Sequence, residues 1–352
     1  MTHSIARQAK ITMIALVSLF IIFGVVPNGA QAAIISTQGE IDIGRDVGKQ
    51  LEKQYGLVDD PALQERVTKI GMNMVAVSER KRLPYTFKVL NSKEVNALAA
   101  PGGFIYLFKG LVDLMPSDDE LAGVIGHEIG HVVKRHTVHQ IEKNLLMNVG
   151  FIAVFGDRGI ALQSLAMDVI MAGYSRSDER EADYLGYVHS SKAGYNPYSM
   201  TMGLMKLSSL DQHYQYDLFS DHPEGKERIA LIQGYLEKDH VHPKAQLTAD
   251  KKGATVVDGT WKLPTITALY NGVTPLYRAY ETAGALYRVS QLAEYNPDTY
   301  ILDYDGDNIV INYNDIRILV ITPEDALAYN TNQMELAGLY VDKLKEWDRK
   351  KL

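Results

Sequence analysis

The chain has 352 residues, 46% hydrophobic and 22% charged, with a formal net charge of −7 and no cysteine. This is ordinary globular composition, with room for about two domains and a sizeable core. It excludes disulfides, thiol nucleophiles, thiolate metal ligands and lipid attachment through cysteine.

The first ten residues carry Arg7 and Lys10, and residues 11–26 are almost wholly apolar. Ala30-Gln31-Ala32 follows, a small-residue cleavage pattern. The apolar run of 16 residues is shorter than the roughly 20 a spanning helix needs. Residues 1–32 are therefore expected to be a cleaved signal peptide, the alternative being an uncleaved membrane anchor. That segment holds two of the 36 basic residues and none of the 43 acidic ones, so the remainder carries 34 against 43, a net of −9. No basic stretch suited to nucleic acid remains.

In chain order, Gly39 to Tyr55 reads as a helix (Ile43, Val47, Leu51), and Pro61 to about Val77 as another (Leu63, Val67, Ile70, Met74). Residues 84–90 alternate as a strand. Residues 95–103 read as a turn-rich segment, and Phe104 to Phe108 as a second strand. Ser117 and Glu120 form a capping box after Met115-Pro116, and Leu121, Val124, Ile125, Ile129 and Val132 recur at helical spacing, to about His136 or Gln140. Residues 144–173 are apolar and read as a pair of buried helices, broken at residues 156–159; a membrane-facing or lid segment is the alternative. Helices are expected over 177–192, 197–210 and 224–238, with a loop at 217–223. Residues 244–259 read as a linker and 260–290 as mixed. A hairpin turns at residues 305–308, a strand covers 316–321, and helices start at Pro323 and Gln333. Asp303, Asp305 and Asp307 lack the spacing of a calcium loop and read as a plain turn. There is no 34-residue repeat.

The chemistry concentrates at His127-Glu128-Ile129-Gly130-His131. Residues four apart lie one turn above each other, so both imidazoles can face one ion, with Glu128 beside them to take a proton from a bound water. Such a site needs a third protein ligand. Glu179, on a later helix, is the best placed. Asp183, one turn on, is placed to accept the other ring N–H of a ligand histidine. The same acids also fit a charged, solvated helix face. His136 and His139 fall off the ligand face or beyond the helix end and read as structural or solvated.

These residues carry a resemblance. His127-Glu128-x-x-His131, then Ser175-Arg176-x-x-Glu179-x-x-Ala182-Asp183, then His222-Pro223, resemble the zinc metallopeptidase family M48, which includes periplasmic, membrane and CAAX prenyl proteases. The segment from Asn96 to Gly103, running into Phe104-Ile105-Tyr106, and the opening Gly39-Glu40-Ile41-x-Ile43-Gly44, match as well. The resemblance covers about residues 38–238 and shows no tetratricopeptide tail. It implies one zinc ion per chain held by His127, His131 and Glu179, with Glu128 and Asp183 as catalytic residues. Substrate backbone is expected to be bound around Asn96, Ala97, Pro101, Gly102 and Gly103, through a strand near Ala100 to Tyr106. His222 is implied as a loop residue near the site, regulatory or in contact with the transition state, or else only a cap for the next helix. Arg228 resembles a family arginine there.

The expected fold is α+β: a mainly helical zincin-type domain over 33–245, with a small sheet beside the His-Glu-x-x-His helix, then a smaller α/β module over 246–352. The expected function is a secreted, periplasmic zinc endopeptidase acting on extended or misfolded protein segments, with protein or peptide substrates, possible envelope or membrane-protein partners, and no nucleic acid. The alternative is a latent or chaperone-like protein whose zinc site is plugged by His222.

Overall fold

The computed structural model describes residues 34–147, 158–210 and 225–347. The expected signal peptide and His222 lie outside these. From Thr37 onward the chain forms one compact unit. The fold is α+β and mainly helical, with three small sheets among the described residues. Among the described residues, no helix is long and apolar enough to cross a membrane.

Helices α1 (Thr37–Tyr55) and α2 (Pro61–Val77) lead into the first sheet. Asp60 caps α2 by accepting the Leu63 N–H, and Pro61 stands at the helix start, where no N–H is needed. Strands β1 (Thr86–Leu90), β2 (Ala97–Ala100) and β3 (Phe104–Phe108) are ordered β1-β3-β2, with β3 parallel to β1 and antiparallel to β2. The segment expected to be turns is thus partly a strand. Four residues of low β propensity, Ala97-Leu98-Ala99-Ala100, are held extended by pairing and full burial rather than by their own preference. Phe104–Phe108 is the central strand, so it has no open edge; only β2 and β1 are outer strands. The outer side of β1 is closed by a side chain. Gln64 Nε2 donates to Phe87 O (2.5 Å), its Oε1 accepts the Val89 N–H (3.2 Å), and Val58 N donates to Val89 O (3.0 Å).

After a short helix α3 (Lys109–Leu114) comes α4 (Asp118–Lys134), the His-Glu-x-x-His helix. Helices α5 (His136–Met147), α6 (Arg158–Ala172), α7 (Arg176–Lys192), α8 (Ser199–Ser209) and α9 (Gly225–Lys238) follow. Helix α4 stops at Lys134, because Arg135 adopts the left-handed conformation (φ 57°), and α5 leaves in a new direction.

The stretch read as a linker pairs instead as β4 (Lys244–Leu247) and β5 (Ala254–Asp258), with β6 (Trp261–Lys262) completing a sheet. The mixed stretch contains a 16-residue helix, α10 (Pro275–Ser290), opened by Thr274 and Pro275. The expected hairpin and strand form β7 (Tyr300–Asp305), β8 (Asn308–Tyr313) and β9 (Ile316–Ile321), followed by α11 (Pro323–Ala328) and α12 (Gln333–Lys345).

Among the described residues, two cores hold the fold. One packs α2 and the first sheet against Leu121, Ile125 and Ile129 of α4. The other runs from Tyr187 and Met200 through Ile232 to Leu286, Ile311 and Trp347, so the last hundred residues share apolar packing with α7, α8 and α9.

Candidate metal centre

Helix α4 starts where the sequence asks it to. Ser117 Oγ accepts the Glu120 N–H, and Glu120 Oε2 accepts the Ser117 N–H at 2.8 Å. Leu121, Ile125 and Ile129 anchor one face in the core, and the opposite face carries His127 and His131 towards α7. That helix is opened by a second capping box, Ser175 with Asp178, which places Glu179 in its first turn.

Glycine lets the two helices close. A Cβ on Gly126 would stand 3.0 Å from Gly186 O, and one on Gly130 3.0 Å from the Cα and O of Ala182. The histidines consequently meet the glutamate. His127 Nε2 and His131 Nε2 are 3.0 Å apart; Glu179 Oε2 is 3.5 Å from the first and Oε1 is 3.4 Å from the second. One donor atom from each lies within 4.8 Å of the others, and all three residues are buried.

The surroundings determine what these atoms present. His127 Nδ1 faces Asp183 Oδ1 at 3.0 Å, and His131 Nδ1 faces His136 Nδ1 at 2.8 Å, while His136 Nε2 faces Glu181 Oε2 at 3.5 Å. If each Nδ1 of the pair carries its proton outward, both Nε2 lone pairs and a carboxylate converge on one point. Burial pushes His131 down to about 3, with the neighbouring His127 also lowering it, so its ring is neutral. For His127 burial opposes the charged form, yet the carboxylates of Glu179 and Asp183 outweigh it and raise the ring. Two imidazole nitrogens and one carboxylate, inward and closely spaced, suit a divalent ion of the zinc type with a coordination position left over.

Asp183 sits behind His127. Arg228 grips it with two bonds, Nε to Oδ2 at 2.8 Å and Nη2 to Oδ1 at 2.6 Å, and also lies 3.4 Å from Glu179 Oε2. Burial alone would raise the Asp183 carboxyl, but Arg228 and His127 pull it down to about 2. Glu128 is buried. Burial is the largest influence on its carboxyl, which stands at about 7, with Glu179 raising it and His127 and Arg228 lowering it.

The edge of the first sheet lies one side chain away. The Phe108 N–H donates to Asn96 O, so in an antiparallel ladder Leu98 and Ala100 turn their backbone groups to β3, and Ala97 and Ala99 turn theirs outward. Asn96 Oδ1 accepts the Ala97 N–H at 2.8 Å. Ala99 O lies 3.4 Å from Thr137 Oγ1; Thr137 shares a 2.7 Å hydrogen bond with the Tyr174 hydroxyl, and the Tyr174 ring stacks on His131 at 3.8 Å. Pro101, Gly102 and Gly103 form a buried 3-10 turn under α1. A Cβ on Gly44 would fall 1.7 Å from Pro101 O, and Glu40 Oε1 accepts the Gly102 N–H at 3.3 Å.

Four features escape the sequence reading. His136, expected to be structural or solvated, touches His131, because the left-handed Arg135 turns it back; a break at Arg135, four residues after His131, has no signal beyond its position. Tyr174 and Thr137 carry no pattern at all. The glycines at 126, 130 and 186 do carry one, since small residues at helical spacing mark a close helix crossing.

This α+β fold, with two helix-borne histidines meeting a carboxylate from a following helix, is a zincin-type arrangement. The pattern of Peptidase family M48 matches residues 61–236, half the sequence, and a second, a domain of unknown function, matches residues 254–348. The chain belongs to peptidase family M48. It is similar to metalloprotease YcaL of Escherichia coli K12, 30% identical over 58% of this chain and 80% of that protein. It is also similar to the mitochondrial metalloendopeptidase OMA1 of Arabidopsis thaliana, 35% identical over 51% of this chain and 37% of the relative. A putative beta-barrel assembly-enhancing protease of Vibrio cholerae is 29% identical over 54% of this chain and 42% of its own length. The chain thus spans less than half of the latter two.

Proposed function

We propose that the protein is a zinc-dependent endopeptidase of the cell envelope that cleaves extended or misfolded protein segments. The observation that carries this is the buried convergence of His127, His131 and Glu179, with the Glu128 carboxyl beside it. His127, His131 and Glu179 would hold the ion. Bound there, zinc supplies Lewis acidity, which acidifies a water and polarises a carbonyl.

The protein's own groups do the rest. Glu128, with a carboxyl near 7, takes a proton from the attacking water and returns it to the leaving amine. Asp183 fixes the orientation of His127, and Arg228 keeps that carboxylate charged. The Tyr174 ring braces His131. Substrate main chain adds to β2 through Ala97 O and the Ala99 N–H, the Ala97 N–H being held by Asn96 Oδ1 and Ala99 O facing Thr137 Oγ1; Pro101, Gly102 and Gly103 hold the strand's end in place. Main-chain recognition reads few side chains, which suits unfolded or extended substrates.

Residues 1–32 act in this reading as a leader for export to the periplasm, residues 33–245 as the peptidase and residues 246–352 as a further module. Support comes from the charged-apolar-small order of the leader and from relatives whose names place them in β-barrel assembly. Envelope proteins are then the expected substrates and partners, and His222 the expected regulatory residue.

Casein cleavage by purified residues 33–352, with the Glu128→Gln protein and a chelator as controls, tests the reading. Cleavage that both controls abolish is the expected result. Absence of cleavage with zinc bound would favour the latent, His222-plugged protein, and His222→Ala would be assayed next.

A further inference from the structure

The contact between α4 and α7 is built from the smallest residues. Gly123, Gly126 and Gly130 of α4 meet Gly186 and Ala182 of α7 and the Ser199–Met200 backbone of α8. Such a surface brings backbones close but offers few side-chain ridges to stop one helix sliding along another. A metal centre tolerates little sliding, since its donor atoms sit on both helices. The axial register of α4 must therefore be fixed at its ends.

At the C-terminal end, Arg80 donates to Val132 O at 2.8 Å, and the buried Glu40 carboxylate binds both Arg80 (2.8 and 2.9 Å) and Arg135 (3.2 Å). At the N-terminal end the fastening comes from residues far along the chain. Glu120 is 2% exposed. Its Oε2 serves the capping box; its Oε1 accepts the Tyr277 hydroxyl and pairs with the Lys206 ammonium. Asp119 accepts the Asn196 N–H at 2.8 Å and lies 3.5 Å from Arg288 Nη1. Tyr277 is itself held from behind, because its neighbour Arg278 makes a buried pair with Asp325 at 2.7 Å and donates to Val320 O at 2.6 Å. Glu120 stands seven residues before His127, about 10 Å up the axis and nearly in line with it.

We infer that Tyr277 is a positioning residue for the metal centre: through Glu120 it sets the axial position of α4, and so of His127 and His131 against Glu179. The inference rests on the metal-site reading above. It gives the C-terminal module a part in the peptidase's own scaffold.

The test measures zinc affinity by competition with a chromophoric chelator, the thermal midpoint of the metal-free protein, and kcat and KM on an unfolded substrate. Tyr277→Phe removes one hydroxyl. It is expected to weaken zinc about tenfold, in the range for groups that orient ligands, and to lower kcat with KM unchanged. Tyr280→Phe is the control: it is on the same helix and similarly buried, but its hydroxyl accepts from Gln233 at 2.8 Å instead, and zinc affinity should stay at the wild-type value. Zinc affinity within twofold of wild type in folded Tyr277→Phe overturns the inference, as does equal weakening in both variants. Should Tyr277→Phe not fold, Lys206→Met, which reaches the same Glu120 oxygen, is judged by the same criterion. Wild-type protein that binds no zinc would overturn the metal-site reading instead.

Discussion

His131 Nδ1 lies 2.8 Å from His136 Nδ1, across the left-handed turn at Arg135. One imidazole therefore orients another, where a carboxylate or carbonyl often does this work. His136 in turn faces Glu181 at 3.5 Å and Asp178 at 3.7 Å. Burial, its largest influence, lowers the His136 ring, which keeps it neutral and able to accept. His136→Leu should weaken zinc binding 10- to 100-fold. Chelator competition checks this, and unaltered affinity would mean that His131 needs no such partner.

Arg228 and Asp183 form a buried pair whose value depends on both members being present. Arg228→Met should cost about 3–5 kcal/mol of stability, because it strands the Asp183 carboxylate without its partner. Asp183→Leu combined with Arg228→Met should recover much of that loss while leaving zinc weakly bound. Urea unfolding of the metal-free single and double variants measures the coupling; strictly additive losses would refute it.

Gly130→Ala adds one methyl where none fits. Its Cβ would meet backbone atoms of Ala182 at 3.0 Å, and backbone cannot rotate away. A cost of about 1–3 kcal/mol is expected, together with weaker metal binding as α7 and Glu179 are pushed off. Gly234→Ala, at a helical glycine with nothing within 4 Å, should instead be neutral or stabilising. Thermal melts of the two proteins side by side decide the point.

Glu281 offers a pH signature away from the metal. Its carboxyl is raised from 4.5 to about 7, chiefly by burial and also by Glu120 and Asp119, with Lys206 and Arg278 opposing. A carboxyl that holds its proton more tightly when folded costs stability as pH climbs from 4.5 to about 7, and the cost is complete above that. Glu281→Gln should therefore unfold like wild type at pH 4 and be more stable at pH 8, by up to about 3 kcal/mol. An equal difference at both pH values would contradict the assignment.

The metal helix was legible in the sequence because its signals are local: a capping box, an apolar stripe and two histidines four apart. The family motif then pointed to Glu179 and Arg228; the structure puts Glu179 beside both histidines and Arg228 against Asp183 and Glu179. Less visible was whatever depends on distant chain. Ala97–Ala100 is a strand only because β3 lies beside it, and α10 is hidden by a polar helix face bearing Arg278 and Glu281. His136 faces the ligand because a single residue, Arg135, takes a left-handed conformation. Tyr277 could not be linked to Glu120 by any pattern, since 157 positions separate them.

The Gln64 amide occupies the outer side of β1 as a strand's own peptide groups would. Phe87 O and Val89 N are both taken by that one side chain. The first sheet is therefore closed to strand addition at its β1 edge. Guest strands cannot flank this sheet on both sides at once. With the β1 edge closed, the sheet cannot bridge two separate chains, one on each side.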